Sequence, residues 1–142
     1  MLKVINQKRS FIKPSAVLFD TDNTLYNYEP ANKKAIKAVG NKINKILGIN
    51  QNEFNQKYKQ AKLEIKAQLG KTASSHSRLL YFQRLLEILG LKAQLLIALD
   101  LEQTFWRTFL DNAPLFSGVR EIFSELKKEN IPIGIVTDLT SH

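Results

Sequence analysis

Hydrophobic and polar positions change rhythm several times along the chain. Ala16-Val17-Leu18-Phe19 is an unbroken apolar run between Pro14 and the polar residues Asp20 to Thr24. Such a run suits a strand buried on both faces of a parallel sheet. From Pro30, which suits a first helical turn, Ile36, Val39, Ile43 and Ile46 recur at spacings of three and four until Gly48 offers a stop. Asn50 with Glu53 resembles a capping box opening a second helix, whose stripe is Phe54, Tyr58, Ala61, Ile65 and Leu69, ending at Gly70. After the polar loop Lys71 to Ser75, Ser75 or Ser77 caps a third helix carrying Leu79, Leu80, Phe82, Leu85, Leu86 and Leu89, closed by Gly90. A fourth helix is predicted from about Lys92 to Asp111, with Phe105, Trp106 and Phe109 near its end. Beyond the loop Asn112 to Ser117, Val119, Ile122, Phe123 and Leu126 mark a fifth helix ending near Asn130. The apolar run Ile131 to Val136 then reads as a second strand, with Pro132 tolerable at its start. The order is strand, four-helix insert, helix, strand, and the short connections within the insert favour an antiparallel bundle. There is no internal repeat.

Composition narrows the function classes. The 142 residues are 44% hydrophobic and 24% charged, the make-up of a globular domain. No apolar stretch approaches a membrane span, and the N-terminal segment has no signal-peptide pattern, so the chain reads as cytoplasmic. With no cysteine in the sequence, thiol catalysis, disulfides and thiolate metal sites are excluded. The net charge of +8 raises the possibility of a polyanionic partner. However, Lys33, Lys34, Lys37, Lys42 and Lys45 alternate with apolar residues at helical spacing, so a solvated helix face is the reading preferred over nucleic-acid binding. Attraction of a small phosphorylated substrate is a further reading of that charge.

Asp20 and Asp22 stand two residues apart at the end of the first strand, where open α/β sheets bind ligands. One carboxylate of such a pair can attack phosphorus and form an acyl phosphate, while the other protonates the leaving oxygen and later activates water. A hard cation such as Mg²⁺ would hold phosphate beside an anionic nucleophile. Taken alone, this segment also reads as an Asx-type turn after a strand.

Asp20-Thr21-Asp22-Asn23-Thr24 resembles the first motif, Asp-x-Asp-x-Thr, of the haloacid-dehalogenase superfamily, and Ile133 to Thr137 resembles its second, a strand ending in Ser or Thr. The resemblance implies an α/β, Rossmann-like core, here partial and with parallel strands, formed by residues 1–29 and 112–142. Into it an α-helical cap, residues 30–111, is inserted to close over the site. It implies Asp20 as nucleophile and magnesium ligand, and Asp22 as general acid/base that also offers the metal its backbone carbonyl. Thr137, with Asp138 beside it, would bind the substrate phosphate, although without the resemblance Thr137 reads as a helix N-cap and Asp138 as a turn residue. The implied activity is Mg²⁺-dependent phosphate hydrolysis through an aspartyl-phosphate. Tyr26, Asn27 and Tyr28 fall beside the nucleophile, where packing is the preferred role. Arg78, Arg84 and Arg107 are cap cations among which nothing in the sequence selects.

His76 reads as a residue at a helix start, and Trp106 with Phe105 and Phe109 as cap core. The family's third-motif lysine and fourth-motif acidic residues would lie beyond His142. The resemblance therefore implies the front of an enzyme, inactive alone and completed by further chain or by a second polypeptide. Two parallel strands are also too few for an independently stable sheet, which leads to the same expectation. The competing reading is a non-catalytic remnant serving as a basic helical module for a protein or nucleic-acid partner.

Overall fold

The structure, a computed structural model, describes residues 13–137. The first apolar run forms β1 (Val17–Phe19) and the last forms β2 (Ile133–Ile135). They pair in parallel, Val17 opposite Ile133 and Phe19 opposite Ile135, and the ladder is extended by Val17 N–H donating to Pro132 O and Val136 N–H to Phe19 O, each 2.9 Å. Pro132 contributes only its carbonyl there, so its missing N–H costs nothing.

Between the strands lie α1 (Tyr28–Leu47), α2 (Gln51–Leu69), a 3₁₀ turn (Ala73–His76), α3 (Arg78–Ile88), α4 (Leu95–Asp111) and α5 (Val119–Lys128). Helix α1 begins two residues before Pro30 because Asn23 Oδ1 accepts the Tyr28 N–H at 3.1 Å, satisfying one of the donors that a helix start leaves orphaned. Pro30 then occupies the first turn, where no intrahelical donor is missed. Gly48, at φ +71°, closes α1 by returning its N–H to Asn44 O. Asn50 caps α2, accepting from the Asn52 and Glu53 N–H groups. Of the two serines expected as candidates to open α3, Ser77 is its cap. Lys92 sits at φ +56°, outside helical space, so α4 starts at Leu95 rather than near Lys92.

Helices α1 to α4 form one bundle around a single apolar cluster. Ala31, Ala35, Val39 and Ile43 of α1 meet Ala98, Leu101, Phe105 and Phe109 of α4, with Phe54 and Ala61 of α2 and Phe82, Leu85 and Leu86 of α3 completing it. The alanines allow α1 and α4 to approach closely, and Lys42 of α1 ties the pair by bonding to Asp100 and Thr104 of α4. Phe105 and Phe109 are stacked core aromatics, and the partly buried Trp106 meets both edge to face.

The sheet is covered on part of one face, where Phe19 meets Phe123 of α5 edge to face at 5.2 Å. Leu18, on the opposite face, is 69% exposed, and Ile135 and Val136 are 52% and 57% exposed. Among the described residues, no helix is long and apolar enough to cross a membrane.

Candidate active site

The polypeptide leaves β1 through Asp20 and turns sharply. Thr24 and Leu25 both return their N–H groups to Thr21 O, at 3.2 and 2.9 Å, and Asn23 takes a left-handed conformation at φ +60° that asparagine tolerates better than most residues. Leu25 is buried, and its carbonyl accepts the Phe116 N–H at 2.8 Å. Together with a bridge between Tyr26 and Leu115, this stitches the turn to the loop preceding α5. The turn is therefore anchored at both ends.

Two side-chain bonds orient the carboxylates. Thr24 Oγ1 donates to Asp20 Oδ2 at 2.9 Å, and Tyr26 OH donates to Asp22 Oδ1 at 2.5 Å. Burial, followed by the bond to the Asp22 carboxylate, pushes the Tyr26 phenol up to about 12, so it remains a proton donor across the neutral range. Asp20 is exposed and Asp22 is half-buried. Thr137, just past β2, has its Oγ1 3.1 Å from Thr21 Oγ1. Asp20, Asp22 and Thr137 thus share one end of the sheet, the carboxyl end of both strands, whereas Asp138 lies outside the described residues.

A cleft separates this end from the bundle. Its inner part, about 250 Å³, is lined by Asp22, Tyr28, Lys62, Lys66, His76, Arg78 and Tyr81. An adjoining part of about 390 Å³ shares Lys66 and His76 and reaches Thr137. His76 ends the 3₁₀ turn, as expected of a residue at a helix start, and also lines both parts of the cleft. Arg84, by contrast, is engaged by Glu64 and Glu87, and Arg107 is exposed. Arg78 is buried, with its guanidinium over the rings of Tyr81 and Phe105 at 5.5 and 5.1 Å, donating to Tyr28 OH at 2.7 Å and to His76 O at 2.9 Å. Partial desolvation of the ammonium, then its neighbours Lys66 and Arg78, hold Lys62 below the usual lysine range.

The packing expected of Tyr26 and Tyr28 is present, since both rings rest on Phe109, at 5.8 and 5.5 Å. Their hydroxyls do more than packing requires, one holding Asp22 and the other Arg78. Lys62 and Lys66 were not among the residues expected at the site. No signal in the sequence singles them out: neither has an acidic residue three or four positions away, but the same is true of Lys34, Lys37 and Lys45.

Two parallel strands carrying paired aspartates and a threonine at their carboxyl ends, with a helical bundle inserted between them, define the class. Residues 14–141 match the haloacid dehalogenase-like hydrolase family, and the chain belongs to it. Its architecture is a partial α/β core of that family with a helical cap. The chain is 37% identical, over 129 residues, to the ribulose-1,5-bisphosphate 5-phosphatase of Halopiger xanaduensis, an alignment covering 89% of this chain and 54% of that protein. It spans about half the length of this curated relative.

Proposed function

We infer that the chain carries the nucleophile, the general acid/base and the substrate-selecting cap of a phosphatase acting on a small phosphorylated substrate. The observation that supports this reading is the parallel register, with Phe19 opposite Ile135 and the Thr21 and Thr137 hydroxyls 3.1 Å apart at the strand ends. Asp20 Oδ1, the oxygen that Thr24 does not hold, attacks phosphorus. As the P–O bond to the leaving group breaks, Asp22 delivers its proton to the departing oxygen. Asp22 then takes a proton from water, whose oxygen attacks the aspartyl-phosphate, and the P–Oδ1 bond breaks to free phosphate and restore Asp20. Thr137 donates its hydroxyl to a phosphoryl oxygen during both steps. Tyr26 keeps the Asp22 carboxylate oriented toward the cleft.

The donor set suits Mg²⁺. Among the described residues no three acidic or histidine side chains cluster, but Mg²⁺ is commonly held by one or two carboxylates, with waters and substrate phosphate filling its shell. Asp20 through its carboxylate and Asp22 through its backbone carbonyl are the residues that would hold it, and its charge would offset repulsion between the Asp20 carboxylate and the incoming phosphate. The segments 1–29 and 112–142 act as core, and 30–111 as the cap that excludes water. The exposure of Leu18, Ile135 and Val136 supports a core completed by further polypeptide, from the same chain or a second one.

The test is Mg²⁺-dependent phosphate release from an aryl phosphate and from ribulose-1,5-bisphosphate by the full-length gene product. Asp20→Asn is expected to abolish turnover. Asp22→Asn is expected to slow breakdown of the acyl-enzyme, so that mass spectrometry finds one phosphoryl group on the peptide containing Asp20. Full activity in Asp20→Asn would refute the assignment.

A further inference from the structure

Some cations on this chain are balanced by a neighbouring acid. Lys33 pairs with Glu29, Lys42 with Asp100, Lys128 with Glu125, and Arg84 with both Glu64 and Glu87. These are ordinary surface or interhelical pairs. Lys62 and Lys66 make no ion pair among the described residues, which is equally true of Lys37 and Lys45 on α1, but Lys62 and Lys66 both line the inner cleft. They stand at i and i+4 on α2, where like charges repel and weaken the helix.

Arg78 is more costly still. It is 8% exposed, its two hydrogen bonds go to neutral oxygens, and its Nε is buried with no partner. An unsatisfied buried donor on a charged group is expensive. It is also the first residue of α3, the positive end of the helix dipole, where a cation is disfavoured and an anion favoured. Three cations and one carboxylate, Asp22, thus line a cavity of about 250 Å³. That excess exceeds what Asp22 can balance, and the cations come from the bundle while Asp20, Asp22 and Thr137 come from the sheet.

We propose that Lys62, Lys66 and Arg78 form a seat for a second phosphate of the substrate, so that the preferred substrate is a small bisphosphate bridging sheet and bundle. This inference rests on the proposed phosphatase reading. The transferred phosphoryl group lies at Asp20 and Thr137, and the other phosphate lies across the cleft, held by the two ammonium groups and the Arg78 guanidinium. Tyr28 presets the seat, since its hydroxyl holds the guanidinium and itself donates to Asn32 Oδ1 at 3.2 Å. With the seat filled, the repulsion among the three cations becomes attraction to a shared dianion.

The experiment uses the full-length gene product and two probes that share one phosphate, ribulose-1,5-bisphosphate and ribulose 5-phosphate. Turnover of both is measured, and binding of both to the Asp20→Asn protein is measured by calorimetry. The double variant Lys62→Gln with Lys66→Gln changes one exposed and one half-buried position on α2, neither of them in the apolar cluster, so circular dichroism is expected to show an unchanged fold. Wild type is expected to favour the bisphosphate, and the double variant to lose about tenfold to a hundredfold of that preference, in KM for turnover and in Kd for binding. Arg84→Gln, whose charge is already paired, is expected to leave the preference unchanged. Equal binding of the two probes by the Asp20→Asn protein, or a preference that survives when Lys62→Gln and Lys66→Gln are added, would overturn the seat. If neither probe is hydrolysed while the bisphosphate preference in binding is present and lost in the double variant, the phosphatase reading fails and the seat stands.

Discussion

Phe109 links the stability of the bundle to the geometry of the cleft, and its replacement by alanine tests that link. The side chain is 2% exposed, and its ring meets Tyr26, Tyr28, Phe105 and Trp106 at centroid distances of 5.8, 5.5, 5.9 and 5.6 Å. Truncation of a buried phenylalanine costs about 3–5 kcal/mol through lost transfer energy and the cavity left behind. The four aromatic pairs, worth about 0.5–1.5 kcal/mol each, share one ring and are not independent, so they move the expectation to the upper end of that range. A loss of about 5 kcal/mol is a large part of a typical domain stability of about 5–15 kcal/mol, and at a urea slope of about 2 kcal/mol/M it lowers the midpoint by about 2.5 M. Phe109→Leu keeps most of the volume and is expected to cost about 1.5 kcal/mol. Because Tyr26 and Tyr28 lose their flat wall, the folded Leu variant is also expected to lose hydrolytic rate. Urea unfolding followed by tryptophan fluorescence, with Trp106 as the single probe, gives the first quantity. A loss below about 1 kcal/mol for Phe109→Ala would mean that the neighbouring rings close the gap, and the mechanical link between core and cleft would be refuted.

Other expectations follow from single contacts. Asn50→Ala removes the acceptor for two N–H groups at the start of α2 and is expected to cost about 1 kcal/mol, read as a shift in the urea midpoint at unchanged slope. Tyr26→Phe keeps the ring on Phe109 but removes the bond to Asp22; turnover is expected to fall with little change in the urea midpoint, and an unchanged kcat would show that Asp22 needs no such support. For the bisphosphate seat, Lys62 matters through its protonation. Its ammonium is held below the ordinary lysine range by partial desolvation and by Lys66 and Arg78, with Glu29 opposing, while Asp22, Tyr28 and His76 also line the cleft. Binding a dianion restores the proton, so affinity is expected to fall as pH rises through that lowered pKa, with proton uptake on binding in the same window. Calorimetry in two buffers of different ionisation enthalpy reads the uptake, which is expected to vanish in Lys62→Gln.

Much of the element order was legible in the chain because apolar spacing and punctuation agreed. Gly48, Gly70 and Gly90 end helices or follow them, and Asn50 and Ser77 open them, so local chemistry and periodicity pointed the same way. The buried stripe of α1 was less legible. Large residues suggested Ile36, Val39, Ile43 and Ile46, yet Ile46 is 48% exposed while Ala31 and Ala35 are fully buried. Alanine carries little hydrophobic signal, but at i and i+4 it decides where α4 can approach, and that preference belongs to the pair of helices rather than to either one. Tyr81 was missed as core for a related reason: its hydroxyl, which donates to the Ser75 carbonyl, makes it tolerable inside only once the 3₁₀ turn has formed.

The two halves of the candidate site differ in the same way. Asp20, Asp22 and Thr137 were legible because strand ends and motif spacing are local properties. Lys62, Lys66 and Arg78 were not, because a lysine on a helix face and an arginine at a helix start look identical whether they meet solvent or a cleft. What distinguishes them is the cleft they share and, for Arg78, the partner its Nε lacks. Lys33 and Lys128 have their acids three or four residues away, so the sequence itself accounts for their charge, whereas Lys62 and Lys66 have only each other and Arg78 has only neutral acceptors. The folding free energy gains nothing from collecting three such groups around one cavity. Their repulsion, and the buried Nε of Arg78, are costs that an incoming anion would remove, and for that reason the seat is better understood as part of substrate selection than as part of what holds the bundle together.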